Sequence, residues 1–451
     1  MSSASRTVPL YLFVLPLLYV PDVGFSLQTP IGLLQPSDFV LVLLYPAMLL
    51  GRKHPSGVAG TVKRSFLAFV GIALLTTLLI PLRYPDYDGV LRTTAVCLAK
   101  LAKFLAYALL GFLVARRIET AREARLTLRS LAVGGLILAA GMVWAARSEP
   151  DISQYDKTRI AELYKGSNGL SVALGCLGVF FMTVQYDERR PRWLRWFLSL
   201  SMFTGMVASL GRGGWLGAVT GSLYVGSQRK GRIAGMAAAV LIIAVLLVAV
   251  TYVPMVQVAA DRLVAKDESI EAGDAVLGMS SEGRIATWRH EGAKIVNAPL
   301  LGVGFDNKSE PTGLWDTGSH NFFIQMALET GCLGLFALLV LLWSIWRSAP
   351  IGMLQGSSEH TQQLNLAFRG GFAATCVGAM SGSLLYGTLL LGTISLLYGL
   401  VAASNRFFRS SPFDPPLVIA SSRVDQLYSR CNCNQERAYH DTARVRDDAV
   451  L

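Results

Sequence analysis

Charge is what this sequence is short of. Only 16% of its 451 residues are Asp, Glu, Lys or Arg, against 52% hydrophobic, a balance that excludes an ordinary soluble protein of this size. Its apolar runs lack strand-period alternation, which excludes a β-barrel. No small-residue cleavage site follows the apolar stretch Val8–Val20, so that stretch reads as a first span rather than a removable signal. Cysteine is sparse. Cys97, Cys176, Cys332 and Cys376 fall in apolar helices and Cys431 and Cys433 in the tail, leaving the long polar loop without any and implying no disulfide framework. The tail pair has no second pair beside it to complete a metal site. No clear internal repeat is visible. The formal charge of +11 would suit nucleic acid, but the basic residues sit at helix ends, where they set membrane orientation, and no nucleic-acid partner is expected.

What is present is a series of apolar stretches, long enough to cross roughly 30 Å of hydrocarbon. The fold class is an all-α polytopic membrane protein, solvated by membrane lipid. About twelve transmembrane helices are expected, near 8–22, 36–51, 65–82, 90–114, 128–146, 167–185, 193–210, 213–227, 233–253, 320–346, 367–384 and 387–403. Nine of them fill residues 1–253, a long loop occupies 254–319, and three more fill 320–403. Alternate connections are basic: Arg52, Lys53, Lys63 and Arg64, then Arg116, Arg117, Arg122 and Arg125. Arg189, Arg190, Arg192 and Arg195 follow, then Arg229, Lys230 and Arg232. The positive-inside rule then puts both termini in the cytoplasm, and with them the Pro-containing tail 404–451, expected to be disordered.

The 254–319 loop is thereby placed outside, in the periplasm or its equivalent. A loop of this length should carry function. Within it, Ile285, Trp288, Ile295 and Val296 recur at helical spacing after Ser281, a candidate cap. They predict an amphipathic helix against the membrane or the bundle. The run Pro299-Leu-Leu-Gly-Val-Gly304 then turns the chain back towards His320.

Gly318–Gly334 reads GSHNFFIQMALETGCLG, with His320 and Asn321 where the polar loop meets an apolar helix. At roughly 100° per residue, Ala327, Gly331 and Gly334 fall within about 40° of the face of His320, a small-residue stripe that a neighbouring membrane helix could approach closely. His320 has two readings: an anchor for the helix end, or a base, since an imidazole near pKa 6.5 is largely neutral at pH 7 and takes a proton from a hydroxyl. Arg212, in Ser-Leu-Gly-Arg-Gly-Gly-Trp, stands between the seventh and eighth spans. Its guanidinium can grip phosphate oxygens, with flanking glycines leaving backbone amides open, or it can anchor a tight turn in lipid headgroups. Arg284, four residues before Trp288, carries the same ambiguity. Arg92, Lys100 and Lys103 share one face of the fourth span. Two lysines near mid-membrane are unfavourable by about 2.5–3.5 kcal/mol each on insertion scales; snorkelling accounts for Lys103 better than for Lys100. Glu329 lies about 14 Å below His320 at helical rise, level with Lys100, which predicts a structural Glu329–Lys100 pair. Asn321 could orient His320, hydrogen-bond a sugar or cap the helix.

His320-Asn321, nine residues, Gly331, two residues, Gly334 resembles the signature of the O-antigen ligase family. Arg284…Trp288…Pro299-Leu-Leu-Gly-Val-Gly304…His320-Asn321 is similar to the domain that family shares with O-antigen polymerases, and Ser209-Leu-Gly-Arg212-Gly-Gly to its membrane-edge arginine motif. The resemblance covers about residues 205–345. It implies a GT-C-like, metal-independent, inverting glycosyltransferase of the inner membrane with a periplasmic active site and no cofactor. Such an enzyme moves a glycan from an undecaprenyl diphosphate carrier to a glycan, lipid or protein hydroxyl. Carried onto this sequence, Arg212 and Arg284 would bind the diphosphate and His320 would activate the acceptor. A polymerase would share the donor chemistry and differ in the acceptor. A lipid-linked sugar transporter would instead string charges through the full membrane depth and show a repeat.

Overall fold

A computed structural model describes residues 15–19, 27–29, 32–34, 36–49, 58–148, 167–184, 192–209, 211–228, 281–307, 321–350, 359–382 and 388–410. The expected ninth span and tail, and most of the long loop, lie outside these. All but the end of the last helix belongs to one unit, Met1–Phe407; Phe408–Leu451 forms a second. The described residues are helical apart from a three-residue β hairpin, Leu27–Thr29 (β1) with Gly32–Leu34 (β2). A 3₁₀ turn, Leu15–Tyr19, precedes it. The helices are Pro36–Leu49 (α1), Gly60–Leu78 (α2), the single turn Ile80–Arg83 (α3), Val90–Arg117 (α4), Ala121–Ser148 (α5), Ser167–Thr183 (α6), Arg192–Ala208 (α7) and Arg212–Gln228 (α8). Ser281–Asn297 (α9), Phe322–Ser348 (α10), Glu359–Gly378 (α11) and Thr388–Ser410 (α12) complete them. Where an expected span is described as a helix, most of its bounds agree to within about five residues; α5 begins seven residues earlier, at Ala121, α11 begins and ends earlier, at Glu359 and Gly378, α12 runs on to Ser410, and of the first expected span only the turn Leu15–Tyr19 is described. Among the described residues, five helices are long and apolar enough to cross a membrane: Gly60–Leu78, Val90–Arg117, Ala121–Trp144, Phe322–Ser348 and Leu389–Arg406.

Close helix packing here is the work of small residues. In hydrocarbon there is no apolar driving force between helices, so van der Waals fit decides which faces meet. Along α8, Gly213, Gly217 and Gly221 recur every fourth residue on one face. A Cβ at these positions would run into Ser381, the Ala374 carbonyl and the Gly370 carbonyl of the α11 segment. Gly214, on an adjacent face, admits Ser171 of α6 in the same way. Thus α6, α8 and α11 pack mutually, with α7 against α6 and α5 against α7. Gly111 of α4 and Gly399 of α12 meet main chain to main chain.

Several polar groups inside the bundle are paired. Lys103 Nζ lies 2.6 Å from Asp38 Oδ2, and Tyr107 donates to Asp38 Oδ1 at 3.1 Å. Lys103 is therefore held by a carboxylate from α1 rather than by snorkelling. Arg369 of α11 donates to the Trp346 carbonyl at 3.2 Å and stacks over its ring.

This packing gives a contrasting pair of substitutions. Gly217→Leu drives a side chain into the Ala374 main chain, which cannot swing aside, and should lower stability by about 1–3 kcal/mol or more. Gly71→Ala in α2 meets nothing within 4 Å and should be neutral or stabilising by up to about 1 kcal/mol. Thermal unfolding in detergent checks both, and equal melting temperatures would remove the glycine face as the basis of the contact.

Candidate functional site

Asn321 explains where α10 begins. Its backbone is extended (φ −143°, ψ 112°) and its Oδ1 accepts from Phe323 N at 3.0 Å and Ile324 N at 3.3 Å. It is the N-cap, satisfying two of the amides a helix start leaves unpaired. The capping alternative is thus the one realised. His320 directly precedes this cap and lies outside the described residues.

Ten residues further, α10 breaks. Gly331 has φ 69° and ψ −175°, the left-handed side that favours glycine. The break frees the Leu328 and Glu329 carbonyls and the Cys332 and Leu333 amides from their helical partners. The run Pro299–Gly304 supplies replacements: Val303 N donates to Leu328 O and Gly304 N to Glu329 O, both at 2.9 Å, while Cys332 N donates to Pro299 O at 2.8 Å and Leu333 N to Leu300 O at 3.3 Å. Gly302, at φ 60°, and Gly331 are each pressed against the other segment's main chain. The expectation that Gly331 belongs to a continuous stripe admitting another helix is therefore corrected. It admits a loop, because its own φ ends the helical face; a Cβ on Gly334 would meet Thr330 of the same helix.

The loop is also gripped from the other side. Arg83 donates to the Gly302 carbonyl, Phe305 N donates to Thr77 Oγ1 at 3.3 Å, and Phe305 packs edge-on against Phe104. Lys100 Nζ lies 2.7 Å from Asp306 Oδ2. Here the sequence expectation fails: Lys100 pairs with Asp306, and Glu329 Oε1 accepts instead from Gln325 Nε2 at 2.7 Å. Depth matching along the two helices could not reveal that a loop brings a nearer carboxylate. Nothing in the sequence alone singles out Asp306, Arg83 or Gln325, or Glu291, a buried carboxyl on α9. The unexplained lysine near mid-membrane was the one signal pointing to a hidden acid.

The predicted amphipathic helix is α9, beginning at Ser281. Its bundle side carries Thr287, Trp288, Glu291 and Ile295, while Ile285 and Val296 are exposed. Arg284 sits in its first turn, and only its backbone is described. Arg212 opens α8 and is half-buried. Its neighbours Gly211, Gly213 and Gly214 are buried; Gly211 O accepts from Ser171 Oγ at 2.5 Å and from Gly214 N at 3.1 Å. The glycines serve helix approach, and the Gly214 amide is already used rather than open to an anion.

One short turn lies between two of the three helix starts. Ala379–Ser381, at the end of α11, packs against both α8 and α10. Ser381 fills the space over Gly213, next to Arg212, while Ala379 lines an apolar cavity together with Phe322 and Phe323. The third helix, α9, is tied to α10 by its C-terminal end, through the Pro299–Cys332 joint, with Arg284 at its other end.

The Lys100–Asp306 assignment is testable by a double-mutant cycle. Lys100→Met should lower the melting temperature by leaving Asp306, 12% exposed, without its cation, and adding Asp306→Leu should restore part of the loss. The expected coupling is about 0.5–3 kcal/mol. A larger coupling between Lys100 and Glu329 would reinstate the pairing read from sequence.

Residues 197–339 match the family model described as O-Antigen ligase. The match takes in α8, α9, the loop joint and the break in α10, and with them Arg212, Arg284 and His320. No curated protein matches the chain. The apolar helices, the joined loop and the matched segment agree with one another, and over residues 197–339 this chain is similar to the O-antigen ligase family.

Proposed function

We propose that this protein transfers a glycan from an undecaprenyl diphosphate carrier to an acceptor hydroxyl at the outer face of the inner membrane. The chain crosses the membrane about twelve times, with 254–319 on the periplasmic side. A sugar diphosphate is already an activated donor, so the reaction needs stabilisation of the departing diphosphate and one base. Arg212 and Arg284 bind the diphosphate oxygens, in bidentate fashion where geometry permits. His320 takes the proton from the acceptor hydroxyl as its oxygen attacks the anomeric carbon. The carbon–oxygen bond to the diphosphate breaks as the new glycosidic bond forms, in line, and the anomeric configuration inverts. Neither a metal nor a nucleotide takes part.

The observation that carries this reading is the Ala379–Ser381 turn, packed against both α8, which Arg212 opens, and α10, whose cap follows His320. The joint at Gly331 adds the helix of Arg284. A further support is the cavity itself. It is lined almost wholly by apolar side chains, from Phe322 and Phe323 at the start of α10 to Leu342 and Ile345 near its end. An isoprenoid chain whose diphosphate sits at the helix start has apolar surface directly below it.

The test is transfer by purified protein in EDTA, with a lipid diphosphate-linked oligosaccharide as donor. Lipid A-core, a second lipid-linked glycan and a serine- or threonine-containing peptide are the acceptors, supplied separately. Conjugates should form with one of them. His320→Ala should reduce kcat by about 10²–10⁴-fold, and Arg212→Ala or Arg284→Ala should raise the donor KM by about ten- to a hundredfold. Full activity in all three variants would remove the site; absence of conjugates with every acceptor would remove the reaction.

A further inference from the structure

Glu291 is a buried carboxyl on α9 with no part in the packing or chemistry described so far. It is 5% exposed, and its Oε2 has no hydrogen-bond partner among the described residues. It occupies the side of α9 that also carries the half-buried Thr287, Trp288 and Ile295, the side turned to the bundle, and α9 packs on α10. At 100° per residue Glu291 is within about 20° of Arg284, two turns on. A carboxylate ion here would lack the hydrogen bonds that make buried charge tolerable; a neutral carboxyl would not need them to the same degree. The charged groups around it do not replace them. Lys294, one turn on, is the cation that acts on it, and His290 adjoins it on α9. On α10 the ionisable side chains are Glu329, which accepts from Gln325, Cys332 and Arg347; on the following loop Asp306 is paired with Lys100.

We propose that Glu291 is a positioning residue for Arg284: uncharged, it seats α9 on α10, and its ionisation loosens that contact and with it the grip on the donor diphosphate. The role of Arg284 is that of the proposed function, on which this inference rests. Burial pushes the Glu291 carboxyl up from an ordinary 4.5 to about 7, with Lys294 opposing. The sign follows from linkage. Seated helix holds the proton between these two values and released helix does not, so seating is strongest below pH 4.5, weakens as pH rises to about 7, and is level above it. His320 acts in the other sense and on another constant, since deprotonation of a base raises kcat as pH rises.

The experiment has two readouts. In steady-state transfer with the lipid diphosphate-linked donor, the wild-type donor KM should rise between pH 5.5 and 7.5, by at most about 30-fold, the full ratio for 1.5 pH units. Glu291→Gln keeps the neutral shape and should flatten that profile while leaving the kcat limb intact. The second readout needs no activity: in hydrogen exchange on wild-type protein in detergent, corrected for intrinsic rate, α9 should be more protected at pH 5.5 than at 7.5. A donor KM independent of pH, or one whose pH dependence survives Glu291→Gln, overturns the proposal, as does α9 protection unchanged by pH. Protein that transfers nothing yet shows pH-dependent protection of α9 would overturn the transferase reading alone.

Discussion

Four main-chain hydrogen bonds between Pro299–Gly304 and the break at Gly331 fix the architecture around the site. In a membrane protein a broken helix is tolerated only where other protein groups satisfy the freed amides and carbonyls, and an unpaired buried group is unfavourable by about 1–3 kcal/mol. The loop and the break therefore require each other. Because the exchange is made by backbone, the side chains at Leu300, Leu301 and Val303 leave it unchanged in kind; only the glycines are constrained, by their φ and by close approach. The consequence for function is geometric. α9 ends at this joint and the first half of α10 begins its descent to it, so the helices bearing Arg284 and following His320 leave a single hinge point.

The ion pairs have a different role. Lys100–Asp306 and Lys103–Asp38 lie one turn apart on α4 and connect it to the loop and to α1. An isolated lysine at this depth is unfavourable, and pairing it offsets that penalty rather than adding much net stability. What such pairs supply is register. Asp306 can reach Lys100 only if the loop enters to the depth of Gly302, and that is the depth at which its amides meet Leu328 and Glu329. Thr77 and Arg83 add two more hydrogen bonds with the same requirement, so the loop's position is set from both sides.

Much of the helix layout was legible because each helix is an apolar run bounded by charge or Gly, and hydrocarbon thickness sets its length. The family resemblance was legible for another reason: the motifs holding Arg212, Arg284 and His320-Asn321 resemble those of O-antigen ligases, and the family model matches residues 197–339, which include all of them. What misled was partner choice. Spacing makes the glycine at 331 a surface for a helix, whereas its backbone angle makes it the end of one. Gly213 and Gly214 admit α11 and α6, and of their amides that of Gly214 is taken by Gly211 O. Lys100 was matched to Glu329 by depth, a one-dimensional argument, while Asp306 arrives by a loop whose path no periodicity encodes. Periodicity tells which face of a helix is special; it does not tell what approaches it.

That distinction bears on how the proposed site would hold a diphosphate. Arg212 is the first residue of α8, Arg284 lies in the first turn of α9, and His320 precedes the cap of α10. Helix starts attract anions through unpaired amides and the macrodipole, typically by about 0.3–1 kcal/mol each. Two of these starts have already spent part of that capacity. Asn321 occupies the Phe323 and Ile324 amides, and Gly214 N is turned to Gly211 O. The main chain there is committed to shaping the helices, so most of the charge stabilisation must come from the two guanidinium groups, which can follow a diphosphate as it leaves in a way a fixed amide cannot. Losing either arginine should then weaken donor use far more than any change at Asn321, whose business is with the helix it caps.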